Sequence, residues 1–161
     1  MDKKVMIQIK DLYKIFGKHP AQAKKLLAQG VSKEEILNKT GQAVGVQDTS
    51  FNVYEGETLV VMGLSGSGKS TLIRMLNRLI EPTYGTVIVD GTDVTTLDDD
   101  ELRMFRRKQF GMVFQSFALF PHRTVLENVE FGLEIQEVDE ETRRNKAQES
   151  LELVGLGGWG D

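Results

Sequence analysis

Apolar residues at Val5, Ile7 and Ile9 recur with a period of two, which predicts a strand near the start of the chain. Tyr13 and Phe16 carry an aromatic character to its end at Gly17. The pattern then changes over residues 17–43. Pro20 predicts the start of a helix through AQAKKLLAQ and Gly30 its stop. Ser32 and Glu35 have capping-box spacing for a second short helix, which Gly41 ends. VGVQDTSFNVYEG returns to strand character and closes in a Glu55-Gly56 turn. TLVVMG, residues 58–63, is short, β-branched and apolar throughout, the pattern of a buried parallel strand. Beyond a glycine-rich loop, Leu72, Leu76, Leu79 and Ile80 recur at helical spacing, with Ile73 beside them, until Pro82 forbids much continuation. EPTYGTVIVDG reads as a turn and a strand closed by Asp90-Gly91. Asp98 and Glu101 offer another capping box, opening a helix toward Arg107, and FGMVFQ is a further short strand. Thr124 and Glu127 cap a helix through VLENVEFGLEI, its end weakened by Gly132. Asp139 caps a last helix with Ala147, Leu151 and Val154 on one face, and the glycines of GLGGWGD are loop-like. Neither an internal repeat nor a low-complexity tract is present.

The loop itself, GLSGSGKST at residues 63–71, meets the pattern G-x-x-x-x-G-K-[ST] through Gly63, Gly68, Lys69 and Ser70. A phosphate chain presents several negative oxygens in a small arc. Side chains would crowd that arc, so backbone N–H groups serve it best, and glycine lets the backbone come close. Lys69 supplies a mobile point charge for the β- and γ-phosphates, and the Ser70 hydroxyl is a hard oxygen suited to Mg²⁺. The helix beginning near Lys69 aims its unpaired amides and positive dipole end at the same anion. A Gly/Ser linker matching by chance would not sit between a buried strand and an amphipathic helix, so phosphate binding is the expectation.

At 161 residues the chain is about one domain's worth, with ordinary apolar content. Net charge is −4, which argues against nucleic acid as the main partner. Cysteine is absent, so neither a disulfide framework nor a thiolate metal site is available. His19 and His122 each flank a proline in a turn-like setting and read as surface loop residues. The apolar runs are too short to span a bilayer and the N-terminus lacks a signal-peptide core, so a cytosolic protein is expected. Residues 17–43 carry five lysines against two glutamates; by physics alone they are a solvated helical hairpin. Residues 134–152 carry seven acids against three bases, most simply a solvated helical face.

With the loop, EPTYGTVIVDG and GMVFQSFALFPHRTVLENV in one order, the chain resembles an ABC-transporter ATP-binding subunit. SKEEILNKTGQAVGVQDTSFNV and LIRMLNRLIEPTYGTVIVDGTDVT further resemble the quaternary-amine importers, those for glycine betaine and proline. The resemblance implies an α/β fold of the P-loop NTPase type: a RecA-like core, an antiparallel β subdomain and the start of a helical subdomain. It makes residues 1–161 the N-terminal part of an ABC ATP-binding domain, with 17–43 a helical insertion. It implies MgATP, with backbone amides from Ser65 through Gly66, Ser67, Gly68, Lys69 and Ser70 to Thr71 wrapping the phosphates. It makes Phe16 the residue that stacks on adenine, with Tyr13 the rival; without the resemblance, either is a half-buried residue packing its own strand. Gln115 corresponds to the Q-loop glutamine, which senses Mg²⁺ and the γ-phosphate. SFALFPHRTVLEN is the surface that meets a transmembrane permease, although Phe117 and Phe120 could equally be core. The implied partners are that permease, a second ATP-binding subunit in a homodimer and, indirectly, a substrate-binding protein. The implied location is the cytoplasmic face of the cell membrane.

The family's signature, Walker B acids, later histidine and tandem CBS domains do not occur in these residues. Phosphoryl transfer to water needs a second Mg²⁺ ligand and a group that orients the water. The sequence is therefore expected to be truncated before the Walker B strand, and to bind ATP without hydrolysing it. Two other functions remain open: a small P-loop phosphotransferase, for which RRKQF at 106–110 offers arginines, and a non-catalytic ATP-binding fragment.

Overall fold

The period-two segment forms β1 (Val5–Phe16), and a computed structural model that describes residues 3–115 and 119–161 places it at the heart of an antiparallel sheet. β1 pairs on one side with β2 (Ala43–Tyr54) and on the other with β3 (Tyr84–Val89), and a two-residue β4 (Thr92–Asp93) completes the order β2-β1-β3-β4. Ile9, Leu12, Ile15, Val87 and Val89 are buried by this pairing. The β1–β2 register is irregular. Lys14 faces Val46 while Ile15 faces Val44, so Gly45 is an extra residue in β2, a bulge.

Two helices, α1 (Pro20–Ala28) and α2 (Lys33–Thr40), form where Pro20 and Ser32 predict them. Ser32 Oγ accepts from the Glu35 amide at 3.2 Å, and Gly41 ends α2 in the left-handed region at φ 69°. The hairpin is more than a solvated appendage. Ala23 and Ile36 are fully buried and share a core cluster with Ile15 of β1.

Two apolar segments depart from expectation. Residues 58–63 and 110–115 form no strand, and no ladder among the described residues joins them to a neighbour. Val60 is 69% exposed, Met62 83% and Val113 98%. A strand is not a local structure. An apolar run with no neighbouring strand to form a ladder is not ordered as one. The helix after the loop, α3 (Lys69–Leu76), is shorter than the spacing predicts and buries Leu72 and Met75 instead of the Leu72–Leu76–Leu79 row. Asn77 stops it well before Pro82: its side-chain oxygen accepts from the Leu79 amide at 3.2 Å, and Arg78 follows at φ 55°.

The chain divides into two compact units, Met1–Asp98 and Asp99–Asp161. The second contains α4 (Asp99–Gln109), α5 (Val125–Glu134) and α6 (Glu140–Leu153). Asp139 Oδ1 accepts from the Thr142 amide, and that bond holds the Asp139 carboxyl below its usual range. Ala147 and Leu151 are buried, but Val154 falls past the last turn and is exposed. Helix α5 runs through Gly132 to Glu134. Its capping box is complete: the Glu127 amide donates to Thr124 Oγ1 at 3.2 Å, and the Thr124 amide to Glu127 Oε2 at 2.8 Å. Thr124→Ala is expected to destabilise this unit by about 1 kcal/mol, read as a lower urea midpoint. A parent-like midpoint would mean that the box is not formed in solution.

Candidate functional site

The glycine-rich loop ends at Gly68, the N-cap of α3, and no side chain caps that helix. The first-turn amides of Lys69, Ser70 and Thr71 therefore lack both an intrahelical acceptor and a capping oxygen, unlike those of α2, α5 and α6. Together with the dipole they make an end that favours an anion. The loop is tightly turned. The Ser67 amide donates to Leu64 O at 3.2 Å, and a Cβ at Gly63 would lie 2.8 Å from Ser67 Oγ. Gly68, at φ 94°, packs against β2 so closely that a Cβ there would lie 2.1 Å from Gly45 O. Only glycine fits.

Lys69 folds back over the loop. Its Nζ donates to Gly63 O at 2.8 Å and Leu64 O at 2.7 Å, with Ser67 Oγ at 3.5 Å. An incoming polyanion would offer stronger, charge-assisted acceptors for the same ammonium. Ser70 is exposed. Among the described residues no group of three or more His, Cys, Asp or Glu is arranged to hold a metal. The exposed Ser70 hydroxyl is a hard oxygen of the kind that suits Mg²⁺.

Phe16 and the loop come together. A hollow of about 320 Å³ is lined by Phe16, Gly66, Gly68, Lys69, Ser70 and Thr71, along with residues 43–45 at the start of β2. A second hollow of about 260 Å³ shares Gly45, Gly68 and Lys69 with it and adds Gly63 and Ser67. Ser65 is exposed and lines neither. Phe16 is 41% exposed, with Lys14 Nζ 5.1 Å from its ring centroid. Tyr13 is engaged elsewhere. Its ring meets Tyr84 edge-on at 6.3 Å, Lys24 Nζ lies over it, and burial followed by the Asp48 carboxylate pushes its phenol pKa up.

Gln115 is exposed at the end of the 110–115 stretch, in the second unit. Phe117 lies outside the described residues. Phe120 is half-buried, its ring 4.6 Å from that of Phe131, and Leu119 beside it is exposed. Asn128 holds this turn: its Oδ1 accepts from the Phe120 amide at 2.7 Å and its Nδ2 donates to Phe120 O at 3.1 Å. His19 and His122 are both exposed.

Three residues here escape a reading of the sequence. Asn128 looks like any polar helix residue. Gly45 carries the faint signal of a glycine inside a strand pattern. Lys33, at the start of α2, lines the second hollow, so Lys69 is not the only cation beside the loop. Only the placement of the α1–α2 hairpin brings it there.

The family model described as ABC transporter matches residues 46–161. The chain belongs to the ABC transporter family. Within that family, it is 57% identical over 158 residues to the glycine betaine transport ATP-binding protein OpuAA of Bacillus subtilis (strain 168), and 57% identical over 152 residues to the glycine betaine/proline betaine transport system ATP-binding protein ProV of Escherichia coli (strain K12). These alignments cover 98% and 94% of this chain, which spans 38% of the length of each relative. Among solved structures, it is similar to the bacterial ABC transporter cassette MJ0796, in dimeric form, with a TM-score of 0.78 and 32% identity over 97% of this chain and 60% of that one. The same cassette bound to ADP and Pi, in a post-hydrolysis state, gives 0.76 and 33% over 96% and 60%. The fold is thus the α/β P-loop cassette of ABC proteins, here with an antiparallel sheet and without a parallel ladder among the described residues. The family model begins at Val46, so Phe16 and the α1–α2 hairpin lie outside it.

Proposed function

We propose that this chain is the nucleotide-binding part of an ABC importer's ATP-binding subunit, coupling MgATP binding and hydrolysis to uptake of glycine betaine- or proline-type osmolytes. One juxtaposition carries the reading: Phe16 and the uncapped start of α3 line a single hollow, an aromatic surface beside an anion-binding end. The amides of residues 65–71 bind the phosphates, Lys69 leaves the Gly63 and Leu64 carbonyls for phosphate oxygens, and Ser70 ligates Mg²⁺. Gln115 is the second Mg²⁺-linked residue and relays the state of the site to a permease. Residues 17–43 are an insertion within the ATP-binding domain. Support for the solute class is the 57% identity to transport proteins for glycine betaine.

No described helix is long and apolar enough to cross a membrane. Attachment to the inner face of the cell membrane runs through the permease, met by the exposed apolar Leu119, Val125 and Val129. A second copy of the subunit completes the site, and a substrate-binding protein acts on it indirectly.

ATPase activity of the full-length protein tests the reading. The expected result is stimulation when permease and solute are both present; activity indifferent to both contradicts it. Phe16→Ala is expected to weaken MgATP by about 1–3 kcal/mol, and other nucleotides similarly, because stacking tolerates any base. If Tyr13→Ala produces that loss in the same titration and Phe16→Ala does not, the stacking role belongs to Tyr13.

A further inference from the structure

Gly45 belongs neither to the loop nor to the aromatic, yet it touches both. It is the extra residue of the β2 bulge, and its φ lies outside the left-handed region, so its backbone does not itself demand glycine. Space demands it. A Cβ on Gly45 would come 2.9 Å from Phe16 Cε2, closer than real contacts allow. The strand cannot retreat to make room. The carbonyl of Gly45 already occupies the space that a side chain on Gly68 would need, 2.1 Å from the position of that missing Cβ. The main chain at 45 is thus wedged between the ring of Phe16 and the last residue of the phosphate loop, and all three line the same hollow.

We propose that Gly45 is a positioning residue that sets the Phe16 ring at its distance from the phosphate loop, so that base and phosphates of one nucleotide are held together. This rests on the nucleotide reading of the hollow. A side chain at 45 displaces the partly exposed Phe16 ring before it displaces the backbone packed against Gly68. The loss therefore falls on the base-dependent part of affinity and spares the part that depends on phosphate.

The test is a set of calorimetric titrations of the full-length protein with MgATP and with magnesium tripolyphosphate, which has no base. Gly45→Ala is expected to weaken MgATP about tenfold, a loss on the scale of base stacking, and to leave tripolyphosphate within about twofold. In a Phe16→Ala background, where the ring is gone, adding Gly45→Ala is expected to change MgATP affinity by less than about twofold. Parent-like MgATP binding by Gly45→Ala overturns the proposal. So does an equal loss for tripolyphosphate, or an undiminished loss in the Phe16→Ala background. If Gly45→Ala alone fails to fold, the double variant decides: folding and binding like Phe16→Ala supports the proposal, and failure to fold places the clash at Gly68 and overturns it. A parent protein that binds neither ligand overturns the nucleotide reading, and with it this one.

Discussion

Lys69→Ala lowers MgATP affinity by roughly a hundredfold in an equilibrium titration, abolishing tight binding. Hydrogen bonds to charged groups are worth about 1.5–3 kcal/mol each, and a cation some 4 Å from a phosphate charge contributes further at the dielectric of a protein surface. The substitution acts twice. It removes the charge proposed to meet the phosphates, and in the nucleotide-free loop it deprives the Gly63 and Leu64 carbonyls of the Lys69 Nζ bonds at 2.8 and 2.7 Å, which loosens the loop. Lys33, which lines the neighbouring hollow, leaves some positive potential behind, so weak residual binding is expected to persist and to fall steeply with salt. Unchanged affinity would remove Lys69 from the site.

The largest effect on stability is expected at Gly68. Gly68→Ala places a methyl group 2.1 Å from Gly45 O and forces a non-glycine residue to φ 94°. The left-handed strain is about 1–2 kcal/mol and overpacking against backbone about 1–3 kcal/mol, for a combined loss of about 2–5 kcal/mol. Gly66→Ala is the control. Its φ is 77°, but no atom lies within 4 Å of the added Cβ, so only the strain applies. Urea unfolding of the two variants separates the contributions. Equal midpoints for Gly66→Ala and Gly68→Ala would mean that the loop does not rest on β2 in solution.

The two variants also mark what can be read from a sequence and what cannot. The chemistry of helix ends is local: Ser32, Thr124 and Asp139 announce caps that form, and Gly41 announces a stop that forms. The period of two at residues 5, 7 and 9 likewise survives as β1. The phosphate loop is legible because its spacing is self-contained. Residues 58–63 and 110–115 are not, because an apolar run says that a segment should be covered without supplying its cover. The choice between Phe16 and Tyr13 turns on which ring the fold carries to the loop, and period two along one strand holds no such information. Gly45 is hidden for the same reason. The atoms that a side chain there would strike belong to Phe16, across the strand pair. The helix after the loop fails in a smaller way, since Asn77 takes a backbone hydrogen bond that the leucine spacing cannot foresee.

A crystal structure of the full-length protein with MgATP tests the central claim most directly. The predicted result has the triphosphate within hydrogen-bond reach of the amides of residues 65–71, Lys69 Nζ moved from Gly63 O to a phosphate oxygen, and the adenine against the ring of Phe16. Nucleotide bound elsewhere, or a loop whose amides point away from it with Lys69 still on its carbonyls, would contradict the account.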